Sequence, residues 1–325
     1  MKYIVFDLEW NQPIDGKSQS DRKLPFEIIE IGAVKLDEEK NKIAEFSEIV
    51  RPQVYKELNV HIRKILNVTM KELQQGQTFP KVMNRFRKWC GEDMVFCIWG
   101  TQDLTELQRN ISFYKMQALS SKPIPFLNVQ KMFSEYIGTP DKVYNLESAI
   151  DEAGIEKDIP FHRAFSDAYY TAKILKLVGE EYIEKGITYD LYNLPKNESE
   201  EINDFDDNLY YFVSRGYDDR HKITGSKKLM SIKCMKCGDR PIRKSVSWFS
   251  SNSKNYYGAA VCPEHGPMKA KLRIRHHEKG LYYCEKFIEY TDKKEINLLR
   301  EKKRILKEKE KVSAEQEKVN GKDTI

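Results

Sequence analysis

Residues 2–10, KYIVFDLEW, set two acids, Asp7 and Glu9, at the C-terminal end of an almost wholly apolar run. Tyr3, Ile4, Val5 and Phe6 without polar alternation form the pattern of a central strand covered on both faces. Positions two apart on a strand point to one side, so both carboxylates can hold the same ion. They also stand where ligand sites lie in open α/β sheets, beyond the carboxyl ends of strands. Two surface carboxylates would leave the same local pattern, and neighbouring segments have to separate the readings.

Outward from this strand, residues 27–36, 43–50 and 94–99 read as further strands. The run MVFCIW is continuously apolar, whereas EIIEIGAVKL and KIAEFSEIV alternate more like sheet edges. FPKVMNRFRKWC, DLTELQRNISFYKM, NLESAIDEAG and FSDAYYTAKILKLV space apolar residues three and four apart, as amphipathic helices do. Strands followed by helices interleaved with strands predict an α/β domain on a mixed sheet, ending near residue 190. Residues 191–224 are polar and acidic and read as a linker with little order. Residues 225–290 turn to Gly, Ser, Cys and alternating aromatics, the pattern of a small β-rich module. Residues 291–325 are almost wholly charged and read as a solvated helix or a disordered tail.

Hydrophobic residues make up 40% of the 325 and charged residues 32%, and no apolar run approaches the span of a bilayer. The opening strand lacks the length and cleavage site of a signal peptide, so a cytoplasmic location without membrane contact is expected. The net charge of +5 divides unevenly, at −3 for residues 1–190 and +8 for the remainder. An acidic half that gathers cations and a basic half that holds phosphates suit a polyanionic substrate, although an ordinary charged tail also accounts for the +8.

Three more residues extend the acidic pair. Asp103 follows the strand MVFCIW and the Gly100 turn at the start of a helical pattern, where a helix-capping role is the competing reading. His162 and Asp167 lie five apart at the head of FSDAYYTAKILKLV, just after Pro160 and Phe161. Hydrolysis of a phosphodiester requires charge neutralisation at phosphorus, and a carboxylate cluster holding two divalent ions about 4 Å apart supplies it.

In this order and spacing, Asp7, Glu9, Asp103, His162 and Asp167 resemble the DEDDh branch of the DnaQ-like 3'-5' exonucleases, built on a ribonuclease H-like fold. The likeness covers residues 1 to about 185 and includes EIIEIGAVKLD, the Pro52 turn, Thr69, TFPKVMNRFRKW and NLESAIDEAGI. It is strongest toward the group of histone-mRNA exonucleases and bacterial sporulation-inhibitor-like exonucleases. The resemblance implies a five-stranded mixed sheet flanked by helices. It also implies two Mg2+ (or Mn2+) ions held by Asp7, Glu9, Asp103 and Asp167, with His162 taking a proton from the attacking water. Oxygen donors suit these hard cations and suit zinc poorly. Leu8, Trp10 and Glu30 fall where the family contacts the terminal nucleotide, although Trp10 reads equally as a core residue. The expected partners are 3' ends of single-stranded RNA or DNA, with RNA somewhat favoured. Lys17, Arg22 and Lys23, in the polar insert NQPIDGKSQSDRKLPF, are placed to edge the cleft. The reading from a different class is a nucleic-acid-binding scaffold whose nuclease domain has degenerated, and the presence of all five positions speaks against it.

In the second module, Cys234-Met-Lys-Cys237-Gly and Cys262-Pro-Glu-His265-Gly form two knuckles separated by 24 residues. Three thiolates and one imidazole on tight turns match a structural Zn2+ site of the zinc-ribbon kind, a redox dithiol being the lesser alternative. Such a ribbon is expected to depend on its metal to fold. Cys90, Cys97 and Cys284 read as buried thiols. Lys269, Lys271, Arg273 and Arg275, set among Trp248, Phe249, Tyr256 and Tyr257, suit a single-stranded nucleic acid, unless the aromatics are the module's core.

Overall fold

The structure is a computed structural model that describes residues 1–14, 23–66, 68–205, 208–238, 242–250 and 252–320, with backbone alone over 310–320. Lys17 and Arg22 of the polar insert lie outside the described residues. The chain forms two units, Met1–Asn193 and Leu194–Ile325.

The first unit runs β1 (Lys2–Asn11), β2 (Glu27–Leu36), β3 (Lys42–Ile49), α1 (Val60–Leu66), α2 (Met70–Leu73), α3 (Phe79–Cys90), β4 (Met94–Ile98), α4 (Asp103–Phe113), β5 (Ile124–Asn128), α5 (Val129–Tyr136), α6 (Leu146–Glu152), α7 (Ala164–Leu177), α8 (Ile183–Gly186) and β6 (Ile187–Asp190). Its sheet has the order β3-β2-β1-β4-β5-β6. β1 pairs antiparallel with β2 and parallel with β4, giving the ribonuclease H-like mixed sheet expected from the sequence. The count differs: a sixth, short strand, β6, closes the edge antiparallel to β5. Its four residues, ITYD, are too few to show a period. Two cores flank the sheet. Phe6, Phe86 and Phe96 pack edge to face on the side of α3 and α4. Val5, Cys97, Phe133 and Tyr170 pack on the side of α5, α6 and α7.

β2 is an interior strand and not an edge. It lies between β3 and β1, and nine of its ten residues are buried. Its cover is α7, and Gly32 is what lets the helix approach. A Cβ on Gly32 would stand 2.0 Å from the Phe165 nitrogen and 2.1 Å from the Ala164 carbonyl carbon, both backbone atoms. Gly32 also pairs with Asp7 across the β1–β2 ladder, so the start of α7 is pressed against the strand position opposite that acid.

The second unit runs β7 (Ile202–Phe205), β8 (Leu209–Val213), α9 (His221–Thr224), β9 (Arg243–Ser250), β10 (Asn255–Cys262), β11 (Gly266–His276), β12 (Tyr282–Tyr290) and α10 (Lys293–Asn320). Its strands form a six-stranded antiparallel sheet, β7-β8-β12-β11-β10-β9. Three sequence expectations change here. Residues 191–224 are not a loose linker, because β7 and β8 supply two strands of this sheet, with Ile202, Phe212 and Val213 buried in it. Two of the acids behind the linker reading are engaged: Glu201 and Glu198 hold Lys228 and Arg215. The module is also larger than a ribbon and has its own apolar core, from Phe212, Ile223 and Leu272 to Met268 and Ile288. The charged tail begins as a docked helix, with Ile296 buried against Val246 and Ala259 and Leu299 packed alongside. Cys90, Cys97 and Cys284 are buried thiols, as expected.

Gly32→Ala is expected to destabilise the protein by about 1–3 kcal/mol, because the added methyl meets backbone that no rotamer change can move aside. A lowered urea midpoint would report it. An unchanged midpoint would mean that α7 can lift from β2 at no cost.

Candidate active site

Asp7 and Glu9 project from the C-terminal half of β1 into a cleft also lined by Asp103, His162 and Asp167. The sheet thus brings together all five positions singled out in the sequence. Carboxylate oxygens of Asp7, Glu9 and Asp167 lie within 4.8 Å of one another. Asp103 stands outside that group, on the first turn of α4, where its Oδ1 accepts the Leu8 amide at 3.2 Å. The N-cap position of that helix is Gln102, so Asp103 stands one residue inside the cap.

Asp167 is held from the other side. It occupies the first turn of α7, where the helix dipole favours an anion, and its Oδ1 accepts the His162 amide at 3.3 Å. His162 takes a left-handed backbone, φ 64°, which turns its exposed side chain to the cleft. The loop before it is fastened by Tyr170, which is fully buried: its hydroxyl donates to the Ile159 carbonyl at 2.6 Å and accepts the Ile159 amide at 2.9 Å. The same ring stacks on Phe161 with centroids 4.3 Å apart.

The electrostatics of the cluster are unfavourable without a cation. Asp7 is pushed well above the ordinary carboxylate range by burial and then by Asp103, Glu9 and Asp167. Burial, followed by Asp167, Glu30 and Asp103, pushes Glu9 up to about 8. Burial raises Asp103 to about 7 and Asp167 to about 6, against the backbone hydrogen bonds that pull each down. Among the described residues none of the four is in an ion pair, although a single Arg stands nearby. Four hard oxygen donors that lack a cationic side chain fit divalent cations of the Mg2+ or Mn2+ class.

Of the residues named as nucleotide contacts, Leu8 lines the cleft with its side chain largely buried in the core, and its amide holds Asp103. Glu30 is 3% exposed, and its two oxygens accept Arg163 Nε at 2.9 Å and Nη2 at 3.1 Å. Since Glu30 pairs with Glu9 across the ladder, Arg163 removes a fifth negative charge from the cluster. Trp10 is half-buried against Phe26, with centroids 5.5 Å apart, and still lines the cleft. Trp99 and Gln130, which the sequence did not single out, line it as well, both bonded to the Tyr144 carbonyl. Arg163 could have been noticed as the neighbour of His162, but its partner lies 133 positions away.

In the second unit, Cys234, Cys237, Cys262 and His265 bring their ligand atoms within 4.8 Å of one another. Cys237 and Cys262 Sγ are 3.7 Å apart, and His265 Nδ1 lies 3.2 to 3.7 Å from the three sulfurs. A tetrahedron with Zn–S bonds of about 2.3 Å has edges of about 3.8 Å, so the donors fit a Zn2+ ion. Gly238 and Gly266, at φ 65° and 84°, complete the two turns in a conformation that glycine adopts without strain.

The raised carboxylates carry a pH signature. Each retains its proton in the folded state above the pH at which the unfolded chain releases it. Stability without divalent cations should therefore be full below about pH 4 and fall as pH rises towards 8, the value to which Glu9 is pushed. Melting curves without added Mg2+ should show Tm falling over this range, with Asp7→Asn flattening the fall. Added Mg2+ should raise Tm more at pH 8 than at pH 5. A Tm that ignores both pH and Mg2+ would contradict the repulsion described.

The Exonuclease (RNase_T) family model matches residues 4–175, more than half of the chain. The chain is 28% identical over 190 residues to the probable 3'-5' exonuclease KapD of Bacillus subtilis (strain 168), covering 56% of this chain and 87% of that protein. Solved structures that it resembles include the nuclease domain of 3'hExo, a DEDDh family member, bound to rAMP, at 16% identity and TM-score 0.49, over 58% of this chain and 96% of that one. A full-length 3'-exonuclease matches at 17% identity and TM-score 0.48, over 56% and 83%. The matched segment contains every acid of the cleft, and the chain belongs to the Exonuclease (RNase_T) family, hydrolases that act on nucleic acid.

Proposed function

We propose that the protein is a DEDDh-type 3'-5' exonuclease that removes nucleoside monophosphates from the 3' end of single-stranded nucleic acid, with RNA somewhat favoured over DNA. The observation that carries this reading is the convergence of four carboxylates without cationic partners, and of His162, on one open cleft. The family match and the name of the B. subtilis relative support the polarity. Asp7, Glu9, Asp103 and Asp167 would hold two Mg2+ (or Mn2+) ions. When bound, these ions neutralise the phosphodiester and stabilise the leaving 3'-oxygen.

The chain's own residues do the remaining work. An imidazole nitrogen of His162 accepts a proton from water as the water oxygen forms its bond to phosphorus. The bond from phosphorus to the preceding 3'-oxygen breaks, and that oxygen gains a proton to become the new 3'-hydroxyl. Imidazole suits the step because its ordinary pKa lies near neutrality. Trp10, half-buried at the cleft wall, would stack on the terminal base. In the second unit, Cys234, Cys237, Cys262 and His265 would hold one structural Zn2+.

Asp7→Asn and Asp167→Asn should each abolish cleavage without unfolding the protein, and His162→Ala should retain cation binding while losing about 10²- to 10⁴-fold in rate. A 3'-phosphate should block digestion, and a circular single strand should stay intact. Near-normal turnover of Asp7→Asn at saturating Mg2+, or cuts in the circle, would overturn the reading, and matched RNA and DNA oligonucleotides decide the preference. For the second unit, metal analysis should find one zinc per chain, absent from the double variant Cys234→Ser/Cys237→Ser. Because the sheet has its own apolar core, that variant should keep its β signal in circular dichroism.

A further inference from the structure

The second unit's sheet has two faces of opposite character, and pairing across its ladders sorts its residues between them. Residues directly opposite in a ladder share a face. Tyr256, Leu272, Lys286 and Phe212 are linked in this way, and they form the face covered by Ile223 and Leu229. Trp248 belongs with them, its indole nitrogen donating to the Met230 carbonyl at 2.6 Å. Half of the aromatics marked in the sequence are therefore core.

The other half lie on the opposite face, where Phe249 packs on the small cluster of Val246, Ala259 and Ile296 and Tyr257 is half-buried. Phe249, Tyr257, Lys271, Phe287 and Tyr211 are successive partners across five adjacent strands, so rings flank a cation on one face. Arg273, two residues on from Lys271, joins that face and lies 5.5 Å from the Phe287 ring. Helix α10 covers one margin, over Val246 and Ala259, and brings Lys302 to 4.1 Å from the Tyr257 ring. Lys271, Arg273, Phe287 and Tyr211 remain half-exposed.

Charge is unbalanced along the middle of this face. Lys269 and Arg275, at the ends of the basic row on β11, are paired with Glu289, Glu295 and Glu285. Among the described residues Lys271, Arg273 and Lys302 are in no ion pair. Burial and then the cations Arg273, Lys302 and Arg275 lower the pKa of Lys271, an environment that a bound anion would relieve.

We propose that this face, with Lys271, Arg273 and Lys302 taking phosphates and Phe287 and Tyr257 stacking bases, is a docking track for single-stranded nucleic acid. A chain whose anions and flat rings alternate matches a face where cations and rings alternate; an acidic peptide would satisfy the cations but leave the rings unused. The proposal rests on the exonuclease reading for its ligand class, and binding is measured apart from cleavage so that the two can fail separately.

The probe is a labelled 20-nucleotide oligo(U), titrated by fluorescence anisotropy into the full-length protein in an Asp7→Asn background. Lys271→Glu should weaken binding by about tenfold and reduce the salt slope by about 0.7, the share of one single-strand phosphate. Lys244→Glu makes the same charge change on the other face, among the residues near Trp248, and should leave affinity within about twofold. Phe287→Ala should weaken binding by about tenfold with the slope unchanged, as removal of a stacking ring does. If Lys271→Glu lowers Tm, Lys271→Gln carries the charge test. Equal effects of the variants at positions 271 and 244, unchanged affinity in both Lys271→Gln and Phe287→Ala, or equal affinity for a blunt duplex would overturn the proposal. Cleavage of a five-nucleotide substrate by Lys244→Glu with Asp7 intact should stay at the wild-type rate. If that substrate is not cleaved even by wild type while oligo(U) still binds this face, the exonuclease reading fails and the track stands.

Discussion

Mutual repulsion among Asp7, Glu9, Asp103 and Asp167 is the constraint around which the first unit is built. Left to themselves, buried carboxylates this close would move apart or keep their protons. The scaffold prevents separation from three directions. β1 fixes the first two by its two-residue repeat, the Leu8 amide holds the third, and the first turn of α7 delivers the fourth. Arg163 makes its ion pair with Glu30 and not with any of the four, so the site keeps its negative charge. What the fold leaves open is a demand for positive charge that small ions can meet.

Much of this was legible in one dimension, for reasons that also mark where legibility stops. β1 and α7 carry their own periodicity, and the five polar positions sit at element ends where local patterns break. Gly32 could not be weighed in the same way: in EIIEIGAV it reads as a weak point in a strand, and its use appears only when Ala164 and Phe165 are laid against it. The reading of β2 as an edge failed for a related cause. Its Glu27 and Glu30 look solvent-facing, but Glu27 accepts the amides of Gln53, Val54 and Tyr55, and Glu30 is taken by Arg163. Acids satisfied by distant partners imitate surface.

The second unit was misjudged through composition. Acidic residues 198–204 suggested a segment that could not fold, yet strand formation there depends on Ile202 and on ladder bonds to β8, which composition does not register. The charged tail misled in the same way, since Ile296 and Leu299, with Arg300 and Lys303 bonded to Ser245 and Ser247, seat the first turns of α10. By contrast, the alternation Met268-Lys269-Ala270-Lys271-Leu272-Arg273-Ile274 on β11 is a plain two-sided strand, in which only the partner of each side was missing.

The pairing of β8 with β12 has a consequence for how the protein is made. Residues 209–213 emerge from the ribosome 72 to 80 residues before their ladder partners at 285–289. Until then β8 has only β7 beside it, and a two-stranded hairpin is marginal in water. The first unit can collapse while synthesis continues, since its last strand ends at residue 190. The second cannot close until β12 arrives, leaving Tyr210, Tyr211 and Phe212 uncovered on a growing chain. Codon usage and chaperone occupancy over residues 214–284 should therefore affect the yield of folded protein more than comparable changes within the first unit.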